Sequence, residues 1–313
     1  PFLFVAATII IVGTAIALLV PEAIVLPRDF TITLAPIWDT IIKSVVFGLY
    51  DPLSFIREYA PPYLLIPIRE FFKELPWTVF LGVFMFVAWR LGGWRMAILV
   101  GVFIGFVVVS SWWMEFMVTT YLVFVAGVVC VLWAFPVGIW AAAKDGRTRV
   151  VAFLCDTFQT FPSFIYLIPV IMLVQVGTIS QILAIVIYAG IPMVRYTYLG
   201  LRGVPNEIVE AAITSGCTPR QVLWKVRLPL AFPNIMLGLN QTIMFSLFMV
   251  MIAGFIGGTS ALAREIFKAK ANNDAGLGIL LALCVAFLGL STDLLIQTWA
   301  NRRKARLGLA TDS

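Results

Sequence analysis

Leu201-Arg-Gly-Val-Pro-Asn-Glu-Ile-Val-Glu-Ala-Ala-Ile-Thr-Ser-Gly-Cys-Thr-Pro-Arg-Gln-Val-Leu-Trp-Lys-Val-Arg-Leu-Pro229 is the longest polar stretch between the apolar segments of this 313-residue chain. Pro205 and Asn206 start a helix, and Glu207 to Ser215 continue it. Gly216 ends it, because glycine enters the left-handed conformation of a helix C-terminus without a Cβ penalty. Thr218 then N-caps a second helix with Pro219 at its first position. Val222, Leu223 and Val226 share one face of that helix, and Arg220, Lys225 and Arg227 lie elsewhere. Leu228-Pro229 closes it and opens the next apolar segment. The expected product is a rigid helix-turn-helix knob standing outside an apolar body.

The chain as a whole is 61% hydrophobic and 12% charged. A soluble domain is about a quarter charged, so this chain cannot cover itself with charge and reads as a polytopic integral membrane protein. A spanning helix needs about 20 mostly apolar residues. Eight segments qualify: 2–20, 76–90, 94–114, 116–142, 163–177, 179–199, 229–257 and 277–299. The pair 163–177 and 179–199 is expected to form a tight hairpin. Residues 2–20 lack the basic flank of a signal peptide and read as a retained helix. The start at Pro1 rather than Met leaves a trimmed end or a longer polypeptide open.

Lys and Arg set the orientation. Most of them fall in one set of loops: Arg90 and Arg95; Lys144, Arg147 and Arg149; Arg195, Arg202, Arg220, Lys225 and Arg227; and the tail Arg302, Arg303, Lys304 and Arg306. Eight alternating spans put all of these on one side. That side reads as the cytoplasm, with both termini inside. The net charge of +6 is then a topology signal, and no nucleic-acid partner is implied. Residues 21–75 and 258–277, with Glu115, face the other side. Ile37, Trp38, Ile41, Ile42, Val45, Val46 and Leu49 recur at helical spacing, opposite Asp39, Lys43 and Ser44. This is an amphipathic helix, lying either on the outer membrane surface or on the protein. Pro61 and Pro62 are expected to break it, and 63–75 to form a second short helix leading into 76–90.

The chain has no histidine, which removes His-based acid–base catalysis, His metal sites and Ser-His or Cys-His pairs. Cys130, Cys155, Cys217 and Cys284 are far apart and make no metal or redox motif. No Gly-x-x-x-x-Gly-Lys-Ser/Thr occurs, so no phosphate-cradling P-loop is present.

Glu210-Ala211-Ala212, with Gly216 six residues after the glutamate, then Val226, then Leu228-Pro229, resembles the EAA loop of ABC-importer permeases. Only Val226 departs, standing where that pattern has Ile. The resemblance extends to Asp156-Thr-Phe-Gln-Thr-Phe-Pro-Ser-Phe164, Tyr166-Leu-Ile-Pro169, Val204-Pro205, Gly238-Leu-Asn-Gln-Thr242 and Ala88-Trp-Arg-Leu-Gly-Gly-Trp-Arg95. These are similar to the glycine betaine/proline type, which carries quaternary amines and compatible solutes. The likeness runs from about Leu75 to Gly257. It implies an all-α membrane protein of about eight transmembrane helices whose last five form a type I importer core. That core runs over about 116–299, inside a permease domain at 76–313, after an N-terminal helix and outer-face amphipathic helices at 1–75. It implies a transport subunit, not an enzyme, in the bacterial inner membrane. It also implies an ATPase dimer on the cytoplasmic side that carries ATP and Mg, an extracytoplasmic substrate-binding protein, and a second permease unit as a homodimer or a fused half, all amid membrane lipid. One departure is Gly257-Gly-Thr-Ser-Ala-Leu-Ala-Arg264, where the family usually has Gly-Leu-Gly. This outer loop is expected to make its own contacts with a binding protein.

Polar residues at membrane depth mark function or interhelical bonds. Asn240, Gln241, Thr242 and Ser246 form a stripe halfway along 229–257, with a pore and bundle hydrogen bonds as the alternatives. Asp156, Gln159 and Thr160 precede Pro162 and read more readily as caps of 163–177 than as substrate contacts. Asp293 is expected to pair with a cytoplasmic-side Arg or Lys. Aromatic faces attract quaternary ammonium, which makes Trp112, Trp113, Phe161, Tyr166 and Tyr188 candidates beside Asp156 and Gln159. The rival reading is a secondary transporter or channel for small zwitterions with no ATPase partner. It calls for inverted repeats or a charged path, and neither is visible. A membrane enzyme calls for a catalytic constellation, and none is visible either.

Overall fold

The computed structural model describes residues 2–19, 33–254 and 261–308, and every regular element among them is helical. By contacts the chain divides into two units, Pro1–Gly48 and Leu49–Ser313. The first holds α1 (Phe2–Leu19) and most of α2 (Ala35–Tyr50). On α2, Asp39 and Lys43 pair one turn apart at 2.7 Å, while Ile37, Trp38, Ile41, Val45 and Leu49 are exposed.

The second unit begins with α3 (Ser54–Glu74) and α4 (Trp77–Gly92), which meet at 89°. Leu75 is extended at ψ 117° because Pro76 follows it and excludes the helical region. Pro61 and Pro62 do not break α3. The turn Pro61–Leu65 widens into a π-helical turn closed by Ile66 N–H to the Pro61 carbonyl, which leaves room for the rings. The inner face of α3 packs on the protein: Phe72 meets Tyr121 and Phe124 at 6.2 and 5.5 Å.

Next come α5 (Trp94–Val109), α6 (Trp113–Ala142), α7 (Asp145–Thr160) and α8 (Ser163–Val174). After them run α9 (Thr178–Arg202), α10 (Asn206–Thr214), α11 (Pro219–Gly254), α12 (Leu262–Ala271) and α13 (Ala275–Arg306). Among the described residues, α6, α9, α11 and α13 are each long and apolar enough to cross a membrane. The bent pairs α3–α4 and α7–α8 pass the same test jointly. The expected straight span 163–177 is therefore corrected. It is the short arm α8, folded back at 104° from α7. Phe161 is extended at ψ 139° before Pro162, the same device that bends α3–α4.

The core is built around α9, which lies between α6 and α11. Close approach depends on glycine there, as in membrane helix pairs generally. A Cβ at Gly138 would lie 2.5 Å from the Thr197 Cβ, and one at Gly238 would lie 2.8 Å from the Tyr196 Cβ. Tyr121, Phe116, Ile185, Met249 and Leu281 are fully buried. Large apolar side chains such as Phe86, Val102, Leu132, Phe153, Phe248 and Ile279 remain exposed. Such a surface suits a lipid surround, not water.

Candidate functional site: a helical knob and a polar seam

The knob comprises α10 and the first turns of α11. Helix α10 ends in a Schellman motif. Gly216 sits at φ +83°, its N–H donates to the Ile213 carbonyl at 2.9 Å, and Cys217 N–H donates to the Ala212 carbonyl at 3.1 Å. Cys217 and Ala212 then pack with Val204, Val209 and Val222 in a small core of the knob's own. Thr218 caps α11 reciprocally: its Oγ1 accepts from Gln221 N–H, and its N–H donates to Gln221 Oε1 at 2.8 Å. Each half of the turn is thus closed by residues within one turn of chain.

Leu228-Pro229 does not close the second helix. Val222–Arg227 form a π-helical turn in which Leu228 N–H bonds to the Leu223 carbonyl. This wide turn accommodates the Pro229 ring, which would otherwise strike the carbonyl four residues back. Helix α11 therefore runs unbroken from Pro219 in the knob to Gly254. The knob's outer surface carries Glu210, Ala211, Ile208, Ile213 and Trp224, all exposed. Val226, Leu228 and Pro229 are half-buried at its base. A cavity of about 390 Å³ lies beneath it, lined by Ile139, Leu201, Val209, Val222 and Arg227 among others.

The knob is also fastened sideways. Arg202, on the last turn of α9, pairs with Asp145 at the start of α7 and donates to Thr148 Oγ1 at 2.6 Å. Thr148 Oγ1 in turn donates to the Ala141 carbonyl of α6 at 2.8 Å. The Arg202 guanidinium beside Asp145, by hydrogen bond first and charge second, holds its carboxyl below the usual carboxylate range. A lowered pKa means the pair is intact above that range and is lost only as pH falls through the lowered value. No sequence motif pointed to this clamp. The one available signal was an Arg at the knob's root and an Asp in the basic loop 144–149.

At depth, Asn240, Thr242 and Ser246 are buried and Gln241 is half-buried. Asn240 Nδ2 donates to Asp293 Oδ1 at 2.6 Å, joining α11 to α13, and Gln297 Nε2 donates to the same oxygen at 2.6 Å. Asp293 thus has amide partners, correcting the expected Arg or Lys. Amides satisfy a carboxylate inside the bundle without carrying a second charge into it. Ser246 Oγ donates to the Thr242 carbonyl at 2.7 Å. Asn240 Oδ1, Thr242 Oγ1 and Ser291 Oγ are buried without a protein partner.

Asp156 is not a cap of α8. It lies within α7 and pairs with Arg195 of α9, while Thr160 Oγ1 bonds back to the Thr157 carbonyl within its own helix. Gln159 is half-buried and Phe161 exposed at the α7–α8 bend. Tyr166 is buried and its hydroxyl donates to the Phe158 carbonyl. A relay of rings leads from the bend into the bundle: Phe158–Tyr166 at 6.1 Å, Tyr166–Tyr188 at 5.8 Å and Tyr188–Phe245 at 5.3 Å. Phe245 precedes Ser246 on α11, so the rings reach the helix that carries the polar stripe. Phe245 was not singled out in the sequence because it is one of 25 phenylalanines.

A helical bundle with apolar outer faces, a broken span beside its central helix and a stiff knob continuous with a spanning helix defines a membrane transport component. Residues 134–306 match the family described as "Binding-protein-dependent transport system inner membrane component", and the chain belongs to that family. It is 41% identical over 273 residues to a trimethylamine N-oxide transport system permease protein of Ruegeria pomeroyi, covering 87% of this chain and 41% of that protein. It is 33% identical to the glycine betaine/proline betaine transport system permease protein of Escherichia coli, covering 90% and 77% respectively. The chain thus spans about two fifths of the length of the trimethylamine N-oxide relative. In fold it is similar to the inward-facing MetNI methionine ABC transporter, with a TM-score of 0.53 at 21% identity over 66% of this chain and 97% of that one. An amino acid ABC transporter matches at a TM-score of 0.51 and 19% identity, over 63% and 98%.

Proposed function

We propose that this chain is the membrane-embedded permease unit of an ATP-driven, binding-protein-dependent importer of methylated osmolytes, in a bacterial inner membrane with both termini cytoplasmic. The observation that carries the reading is the knob: an EAA-type loop closed by its own caps and continuous with α11. ATP and Mg belong to a separate ATPase dimer, into which Glu210, Ala211, Ala212 and Gly216 dock. Val226, Leu228 and Pro229 transmit the movement to α11. A second permease unit completes the path, and an extracytoplasmic binding protein delivers the cargo. The permease domain is 76–313, with its core at 116–299.

Closure of the ATPases moves the knobs, and the knobs rock the helices between inward- and outward-open states as rigid bodies. Asn240, Gln241, Thr242, Ser246, Asp156, Gln159, Phe161 and Tyr166 are the candidates for lining the translocation path. Rings among them suit a methylated ammonium, whose attraction to a desolvated aromatic face is about 2 kcal/mol. Trimethylamine N-oxide is the first choice of cargo and glycine betaine the second, following the relatives at 41% and 33% identity. The test is uptake of labelled trimethylamine N-oxide, glycine betaine, choline and carnitine into vesicles holding the chain and its partners. ATP-dependent uptake of a methylated amine is expected. Uptake without ATPase or ATP would instead establish the channel or secondary-transporter reading.

A further inference from the structure

At the knob end of the bundle, α4, α11 and α13 converge on a cavity of about 530 Å³ lined by Arg90, Phe232, Trp299, Arg302, Arg303 and Arg306. Arg302 Nη1 donates to the Arg90 carbonyl at 2.7 Å, tying the end of α4 to the end of α13. Phe232 meets Trp299 edge-on at 5.3 Å, and the Arg303 guanidinium lies 5.9 Å above the Phe232 ring. Among the described residues none of the four arginines forms an ion pair with a carboxylate. Four cations sharing one concavity repel one another, and no carboxylate among the described residues pairs with any of them. Guanidinium forks fit phosphate oxygens in pairs.

A second cavity, of about 480 Å³, adjoins the first and shares Arg90, Leu91 and Trp299 with it. Its remaining lining is Phe86, Val87, Leu295 and Ile296, all apolar. Phe86 lies one turn before Arg90 on α4, and Leu295 one turn before Trp299 on α13. The apolar groove therefore runs from the arginine cluster along both helices toward mid-bundle. Trp299, where the two cavities meet, is the residue type that membrane proteins place at headgroup level.

We propose that this composite cavity binds an anionic phospholipid, its phosphate on Arg90, Arg302, Arg303 and Arg306 and an acyl chain in the groove between α4 and α13. A free phosphate satisfies the arginines and leaves the groove unused, whereas a phospholipid occupies both. The bound lipid neutralises the cluster and staples the end of α4 to the end of α13. This site is independent of the transported cargo and of the ATPase reading.

The test is native mass spectrometry of the full chain purified in mild detergent from bacterial membranes, with retained phospholipids identified. Wild type is expected to keep phosphatidylglycerol or cardiolipin in preference to zwitterionic lipid. Arg303→Gln with Arg306→Gln should lower that occupancy on the order of tenfold, from the usual contribution of each basic residue near an anionic surface. Val87→Trp fills the groove without removing an arginine and should also displace the lipid. Lys270→Gln, an exposed cation on α12, should change nothing. Should the double arginine variant fail to yield a monodisperse chain, wild type against Val87→Trp decides. Equal anionic-lipid retention in wild type and Val87→Trp, no retained anionic lipid on wild type, or full displacement of the lipid by millimolar inorganic phosphate would each overturn the proposal.

Discussion

Gly216 stands at φ +83° with nothing within 4 Å of where its Cβ would be, so conformation alone, and not space, demands glycine there. Gly216→Ala should cost about 1 kcal/mol, and Gly216→Val more through its branched Cβ. The coupling role proposed for the knob predicts that Gly216→Val retains normal membrane insertion but loses ATPase pull-down and ATP-driven uptake at matched expression. Full retention of both would remove the knob from the coupling path. Asn240 makes a separate claim at the same scale. Asn240→Leu leaves Asp293 with Gln297 as its remaining amide donor, and interhelical hydrogen bonds of this kind are worth about 1 kcal/mol. The thermal midpoint in detergent should fall for Asn240→Leu and for Asp293→Leu. The double variant should lose less than the sum, and strict additivity would show that the two side chains are not coupled.

Among the elements, α11 has the most direct mechanical consequence. It passes from the knob into the bundle through a π-helical turn, so a push on the knob reaches the span without a hinge. Trp224→Gly together with Lys225→Gly would place a flexible pair inside that turn, each glycine costing about 1 kcal/mol of helix stability. The rigid-lever reading predicts retained ATPase binding with depressed uptake, an uncoupling that Gly216→Val should not reproduce. Uptake at the wild-type rate would mean that the span moves independently of the knob. The α7–α8 bend contributes in another way. Pro162 turns the chain by 104°, and Tyr166, locked to the Phe158 carbonyl, holds the two arms together across the bend.

At the scale of the molecule, the proposed assembly has two permease units about a two-fold axis, since one chain carries one knob and two ATP sites normally close together. Mass photometry of the active transporter should find two permease units, or one fused polypeptide carrying both. A single unit in an active complex would refute this. The orientation read from Lys and Arg predicts that cysteines placed at Thr148 and Thr218 react only from the cytoplasm, and those at Ser54 and Ala271 only from outside. External labelling at position 218 in sealed cells would invert the assignment. The outer loop at Gly257–Ser260, expected to contact a binding protein, lies outside the described residues.

The sequence by itself determined the elements whose causes are local. The Thr218–Gln221 capping box and the left-handed Gly216 lie within a turn of the residues that close them, so spacing alone shows them. Apolar run length gave the long helices α6, α9, α11 and α13, because exclusion of polar groups from lipid acts on each segment separately. Only the tertiary structure decided what the prolines do. Pro76 and Pro162 bend the chain, while Pro61, Pro62 and Pro229 are absorbed in wider turns. It also decided the partners of Asp293, Asp145 and Asp156. The pairs with Asn240, Arg202 and Arg195 join residues 53, 57 and 39 positions apart, so they exist only once the crossing of α9 with α7 and of α11 with α13 has fixed which faces meet.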